Sequence, residues 1–148
     1  MATILVVDDD QQVRSMLCAM LQRAGYETEE AADGRFALEA NRRRRADLII
    51  LDMLMPEMEG VETLRALRRA DPDVKVIAIS GGGSIRPEIY LESARKFGAR
   101  CAFAKPVDRP ELLAAIRGLL DPSPVPPAGQ SQGWGTPGRP AVSNDPQR

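Results

Sequence analysis

The stretch Asp47-Leu48-Ile49-Ile50-Leu51-Asp52-Met53-Leu54-Met55-Pro56 decides how the chain is read. Four consecutive large apolar residues end in a single carboxylate, and a loop containing a proline follows at once. An unbroken apolar run bounded by polar or turn residues suits a central strand of a parallel sheet covered on both faces. Open α/β sheets place their sites at the carboxyl ends of such strands, which is where this run delivers Asp52. Asp52 is therefore the candidate reactive group.

On the N-terminal side, Thr3-Ile4-Leu5-Val6-Val7 is a short β-branched run that predicts a first buried strand, leading straight into Asp8-Asp9-Asp10. Val13, Met16, Leu17, Met20 and Leu21 recur at helical spacing, with Asp10 as N-cap and Gly25 as stop. Tyr26 to Ala31 reads as a more exposed strand, because Tyr26 and Thr28 alternate with glutamates. Gly34 to Arg43 reads as a weak helix whose apolar content is Phe36, Leu38 and Ala40. The run Arg42-Arg43-Arg44-Arg45 resembles a phosphate or RNA site. It stands alone in a net-acidic chain, however, and is expected to be a solvated helix end favoured by the helix dipole.

On the C-terminal side, Val61, Leu64 and Leu67 mark a helix closed before Asp71-Pro72. Val74 to Ile79 is another buried strand, running into Ser80-Gly81-Gly82-Gly83. Pro87 opens the next helix, Leu91, Ala94 and Phe97 supply its inner face, and Gly98 ends it. Cys101-Ala102-Phe103-Ala104 is a short last strand meeting Lys105-Pro106. Asp108 with Glu111 makes a capping-box-like start for a final helix carrying Leu112, Ile116, Leu119 and Leu120. The β-α alternation predicts an α/β fold, with a doubly wound five-stranded parallel sheet, helices on both faces and right-handed crossovers.

This folded unit is expected to span residues 1–120. Residues 121–148 hold seven of the twelve prolines and four of the twelve glycines, with Trp134 as their only aromatic. That composition predicts a disordered Pro/Gly-rich tail.

Composition removes several function classes. At 148 residues and 43% apolar the chain sustains one ordinary core. A formal charge of -1 and a pI near 5.6 give no polybasic footprint for nucleic acid. No apolar segment approaches membrane-spanning length. Met1 to Val7 lacks the basic start of a secretory signal, so a cytoplasmic location is expected. Cys18 and Cys101 sit in no paired motif and are expected as reduced thiols. With no histidine in the chain, it has no histidine-based nucleophile activation, His-rich zinc site or phosphohistidine of its own.

Four strand ends carry polar groups: Asp8 and Asp9, Asp52, Ser80, and Lys105. In a parallel sheet these ends share one edge, so residues far apart in sequence converge. Neighbouring carboxylates repel unless a cation sits among them, and a hard dication such as Mg²⁺ prefers oxygen ligands. Lys105 and the Ser80 hydroxyl suit phosphoryl oxygens, and aspartate is an established kind of phosphoryl nucleophile. The three glycines Gly81-Gly82-Gly83 fit neither GxxxxGK[ST] nor GxGxxG, so they are not a nucleotide loop.

With these residues in place, the chain resembles the response-regulator receiver domains of two-component signalling, the CheY-like family. The matching pieces are Ile4 to Asp10, Asp52 to Pro56 with Gly60, Ile79-Ser80-Gly81, and Gly98-Ala99 followed by Lys105-Pro106. The resemblance runs from about Thr3 to Leu120. It implies the flavodoxin-like sheet order 2-1-3-4-5 and Asp52 as phosphoacceptor. It also implies Asp9 as a direct Mg²⁺ ligand, Asp8 acting mostly through a bound water, and the Leu54 backbone carbonyl as a further ligand. Ser80 becomes the switching hydroxyl, Lys105 the phosphoryl contact, and Lys105-Pro106 a cis bond. The position where the family carries its switching Tyr or Phe falls on Ala102, and period-two alternation turns Phe103 to the other face. Phosphorylation is accordingly expected to alter the surface from Ser80 to Tyr90 more than the face near Ala102.

The expected function is a stand-alone receiver. It would take a phosphoryl group onto Asp52 from a sensor histidine kinase or histidine phosphotransfer protein, with Mg²⁺, and signal through a downstream target protein. It would catalyse its own phosphorylation and slow dephosphorylation rather than conventional turnover, and contact neither nucleic acid nor membrane. Phosphorylation-dependent homodimerisation through the last two helices is left open. Two competing classes are a phosphatase with an Asp nucleophile, for which Met53 and Leu54 offer no second acid, and a phosphorylation-independent binding module that keeps the fold.

Overall fold

The computed structural model describes residues 2–53, 60–80, 92 and 94–120. Its element order is β1 (Thr3–Val7), α1 (Gln11–Arg23), β2 (Glu27–Ala31), α2 (Gly34–Arg43), β3 (Leu48–Asp52), α3 (Gly60–Ala70), β4 (Val76–Ser80), β5 (Cys101–Ala104) and α4 (Arg109–Leu120). Residues 92 and 94–96, between β4 and β5, are also helical. The strands form one parallel sheet in the order β2-β1-β3-β4-β5, as expected.

Apart from Thr3, Asp52 and Ser80 at strand ends, the central strands are apolar because both faces are covered, and their alternation sorts the core into two layers. Leu5, Val7, Ile49, Leu51, Val76 and Ala78 pack with Ala37, Ala40, Leu64, Leu67 and Ala94. Ile4, Val6, Leu48, Ile50, Ile77 and Ile79 face Leu17, Cys18, Leu21, Leu112 and Ile116 on the other side. β2 is the exposed edge, where only Ala31 is buried.

The caps follow the sequence. Asp10 accepts from the backbone of Gln12 and Val13 at the start of α1. Asp33 does the same for Phe36 in α2, and Asp108 for Glu111 in α4. Gly25 and Gly98 have φ of +99° and +108°, the left-handed region where a side chain is strained. The Lys105-Pro106 bond is cis.

Three expected inner residues lie outward. Met16 is 39% exposed, Phe36 63% and Phe97 39%. Phe36, Leu38 and Ala40 are spaced by two, a strand period, so a helix cannot put all three on one face. α2 instead buries Gly34, Ala37, Ala40 and Asn41. The Phe97 ring is capped by the Arg65 guanidinium, 5.3 Å from its centroid.

The arginine run is a set of local struts. Arg42 pairs with Glu39, Arg44 with Glu27 and Glu29, and Arg45 with Asp71. The last two tie the β3 approach to β2 and to the end of α3. Both cysteines are free, and burial pushes each thiol above its usual value. No helix among the described residues is long and apolar enough to cross a membrane.

Candidate functional site

β1 and β3 are neighbours in the sheet, so their carboxyl ends place Asp8 and Asp52 side by side. One carboxylate oxygen from each of Asp8, Asp9 and Asp52 lies within 4.8 Å of the others. Asp8 is fully buried and Asp52 is 3% exposed, while Asp9 faces solvent. Three carboxylates so close are self-repelling, and oxygen-only donors of this kind fit a hard dication.

Lys105 follows β5 and reaches back across the sheet edge. Its Nζ stands 3.0 Å from Asp8 Oδ2 and 3.7 Å from Asp52 Oδ2. Burial alone would pull the lysine down, but the Asp52, Asp8 and Asp9 carboxylates outweigh it and hold the ammonium above its ordinary value. The cation therefore stays charged at neutral pH and partly neutralises the acids.

Ser80 ends β4 and is 1% exposed. Its Oγ and Asp8 Oδ2 are buried without a hydrogen-bond partner among the described residues. Lys105 meets Asp8 Oδ2 as an ion pair at 3.0 Å. Buried polar atoms without partners are costly, and at a site they mark places that a ligand completes. The residues present thus fit a Mg²⁺ ion beside a phosphoryl group.

Backbone contacts hold these side chains. Asp8 N–H donates to Ala31 O at 3.2 Å, and Asp10 N–H donates to Asp8 Oδ1 at 2.9 Å. Met53 N–H donates to Ile79 O at 2.8 Å, and Lys105 N–H to Ser80 O at 2.8 Å, so β3, β4 and β5 end in step. Gly60 N–H donates to Met53 O at 3.2 Å, setting α3 directly against the exit of β3.

Of the residues expected at the site, Asp8, Asp9, Asp52 and Lys105 are brought together, and Ser80 ends the strand paired with β3. Leu54, whose carbonyl was expected as a ligand, lies outside the described residues, as do Pro56, Pro87, Leu91, the surface from Gly81 to Tyr90 and the tail from Asp121. Ala102 packs against the layer containing Ala78, and Phe103 against the opposite one, as alternation requires. Sequence reasoning missed Arg14, whose Nη1 donates to Asp8 O at 2.7 Å while Nε pairs with Glu30 Oε1 at 3.0 Å. Its partner lies on another element, so no local spacing announces it.

A 2-1-3-4-5 parallel sheet with acids at the ends of β1 and β3 and a lysine after β5 defines a class of signalling domain. Residues 4–117 match the response regulator receiver domain family, and the chain belongs to it. It is 34% identical over 117 residues to sporulation initiation phosphotransferase F of Bacillus subtilis, a match covering 79% of this chain and 92% of that protein. It is 39% identical over 117 residues to the response regulator MprA of Mycobacterium leprae, again covering 79% of this chain but 50% of the relative. Among solved structures it is similar to the chemotaxis protein CheY4 of Vibrio cholerae, at 35% identity and a TM-score of 0.72, with 81% of this chain and 99% of that one covered. The NtrX receiver domain of Brucella abortus aligns at 30% identity and 0.73, with the same coverage. The chain is a receiver domain of the response-regulator type, consistent with two-component signalling.

Proposed function

We propose that the chain works as a stand-alone receiver. In this reading it accepts a phosphoryl group on Asp52 from the phosphohistidine of a histidine kinase or phosphotransfer protein, and signals through a separate target protein. The observation that carries this reading is the convergence of Asp8, Asp9 and Asp52 oxygens within 4.8 Å, with the Lys105 ammonium 3.0 and 3.7 Å from two of them.

An Asp52 carboxylate oxygen attacks phosphorus in line. The phosphorus–nitrogen bond to the donor imidazole breaks, its electron pair leaves with the imidazole, and an acyl phosphate remains on Asp52. Asp8, Asp9, Asp52 and the Leu54 carbonyl would hold Mg²⁺, which when bound neutralises charge on the incoming phosphoryl oxygens. Lys105 supplies a second positive charge, and the Ser80 hydroxyl would donate to a phosphoryl oxygen. The chain's contribution is thus positioning and charge compensation.

The test is Mg²⁺-dependent incorporation of phosphate from acetyl phosphate into the full chain. Incorporation is expected at one site and should vanish in Asp52→Asn. No incorporation at any Mg²⁺ concentration would leave a phosphorylation-independent binding module as the better reading.

A further inference from the structure

We infer that Arg14 is a positioning residue for the cation site, holding the acidic pair Asp8-Asp9 in ligating geometry against the effect of its own charge. The inference rests on the reading that Asp8, Asp9 and Asp52 take up Mg²⁺.

β1 pairs with β2 as far as Val7 and Ala31, and with β3 as far as Val7 and Leu51. The ladder stops one residue short of the acids. Asp8 N–H still reaches Ala31 O, and the Asp8 carbonyl is taken up by Arg14 Nη1 at 2.7 Å. That carbonyl belongs to the peptide plane joining Asp8 to Asp9. Fixing that plane limits ψ of Asp8 and φ of Asp9, the two torsions that set one residue against the other. One hydrogen bond therefore restrains how the Asp9 carboxylate stands relative to that of Asp8.

The guanidinium is itself fixed. Its Nε pairs with Glu30 Oε1 at 3.0 Å, and the arginine side chain is 13% exposed against 45% for Glu30. A planar fork can serve the carbonyl with one nitrogen and the carboxylate with another, which an ammonium cannot reproduce. The strut joins α1, the end of β1 and β2. Asp10 completes the clamp, since its N–H holds Asp8 Oδ1 while its own carboxylate caps α1.

Charge and positioning predict opposite signs. A cation near the cluster repels a dication, and removing Arg14 also releases the charge of Glu30. On electrostatics alone, Arg14→Gln binds Mg²⁺ more tightly. If Arg14 positions the acids, the same variant binds more weakly, by about tenfold, as for other groups that orient metal ligands from behind.

The experiment is calorimetric titration of MgCl₂ into the unphosphorylated full chain, for wild type, Arg14→Gln, Arg14→Lys and Glu30→Ala. The expected order of affinity is wild type above Glu30→Ala and Arg14→Lys, with Arg14→Gln weakest. Phosphate incorporation by Arg14→Gln should recover most of its loss at saturating Mg²⁺, which a general loss of structure would not allow. Equal or tighter binding by Arg14→Gln overturns the inference while leaving the cation site intact. Should that variant fail to fold by circular dichroism, Arg14→Lys decides, because it keeps the charge and removes the planar fork, and unaltered affinity there also overturns the inference. Absence of Mg²⁺ uptake by the wild type would remove the site reading itself.

Discussion

Lys105 illustrates how one residue plays two opposed parts. Its ammonium competes with a metal for the Asp8 and Asp52 oxygens, yet it offers the positive charge a phosphoryl group needs. Lys105→Ala is therefore expected to tighten Mg²⁺ binding by about tenfold, while slowing phosphate incorporation by about a hundredfold at saturating Mg²⁺. Both are measurable on one preparation, by calorimetry and by incorporation from acetyl phosphate, and a parallel fall in both would contradict the assignment. The pH dependence has a definite sign. Because the folded value is raised, the ion pair's stabilisation is fully present below the ordinary lysine value of 10.5 and is lost only as pH climbs through the higher folded one. Lys105 should contribute no step to metal-free stability across the neutral range.

At the scale of elements, Gly60 shows why α3 begins where it does. A methyl group on Gly60 would overlap the Met53 backbone and stand 2.8 Å from its carbonyl carbon and oxygen. Gly→Ala inside a helix usually gains about 1 kcal/mol, but here the backbone beneath cannot yield as a side chain would. The expected net loss for Gly60→Ala is about 2 kcal/mol, or roughly 5–10 °C in thermal midpoint. An unchanged midpoint would mean that the α3 start shifts freely against β3. The sequence showed this glycine as part of a family pattern but not the contact that demands it, since the contact is between backbones. Strands were legible because burial on both faces leaves apolar runs such as Leu48–Leu51, and caps because Asp10 and Asp108 act within three residues. The outward placement of Met16, Phe36 and Phe97 was not legible, since hydrophobicity alone does not say which face of a short helix meets the sheet. The acids and Lys105 were readable one by one at strand ends. The Arg14 strut and the pairing of Asn41 Oδ1 with the Ala46 N–H at 2.8 Å depend on chain partners that no local period reveals.

At the scale of the molecule, a cation that binds only the folded chain should raise its stability by mass action. Mg²⁺ at a hundred times its dissociation constant is worth about 2.7 kcal/mol, and EDTA should reverse the gain. A thermal midpoint indifferent to Mg²⁺ would argue against the site. The same measurement locates the end of the folding unit, proposed at Leu120. The five strands among the described residues lie before Leu120, and the family match ends at residue 117. The last turn of α4 is clasped from below, where Lys75 Nζ donates to Leu119 O at 3.0 Å, placing a cation at the helix C-terminus beside the start of β4. A chain ended after Leu120 should keep both the midpoint and the Mg²⁺-dependent incorporation of phosphate. One ended after Arg117 loses the Leu119 carbonyl and the half-buried Leu119 and Leu120, and should melt several degrees lower, for a loss of roughly 1–2 kcal/mol. If the first truncation proves as damaging as the second, the residues beyond Leu120 are part of the folded unit, and the boundary drawn at the clasp is wrong.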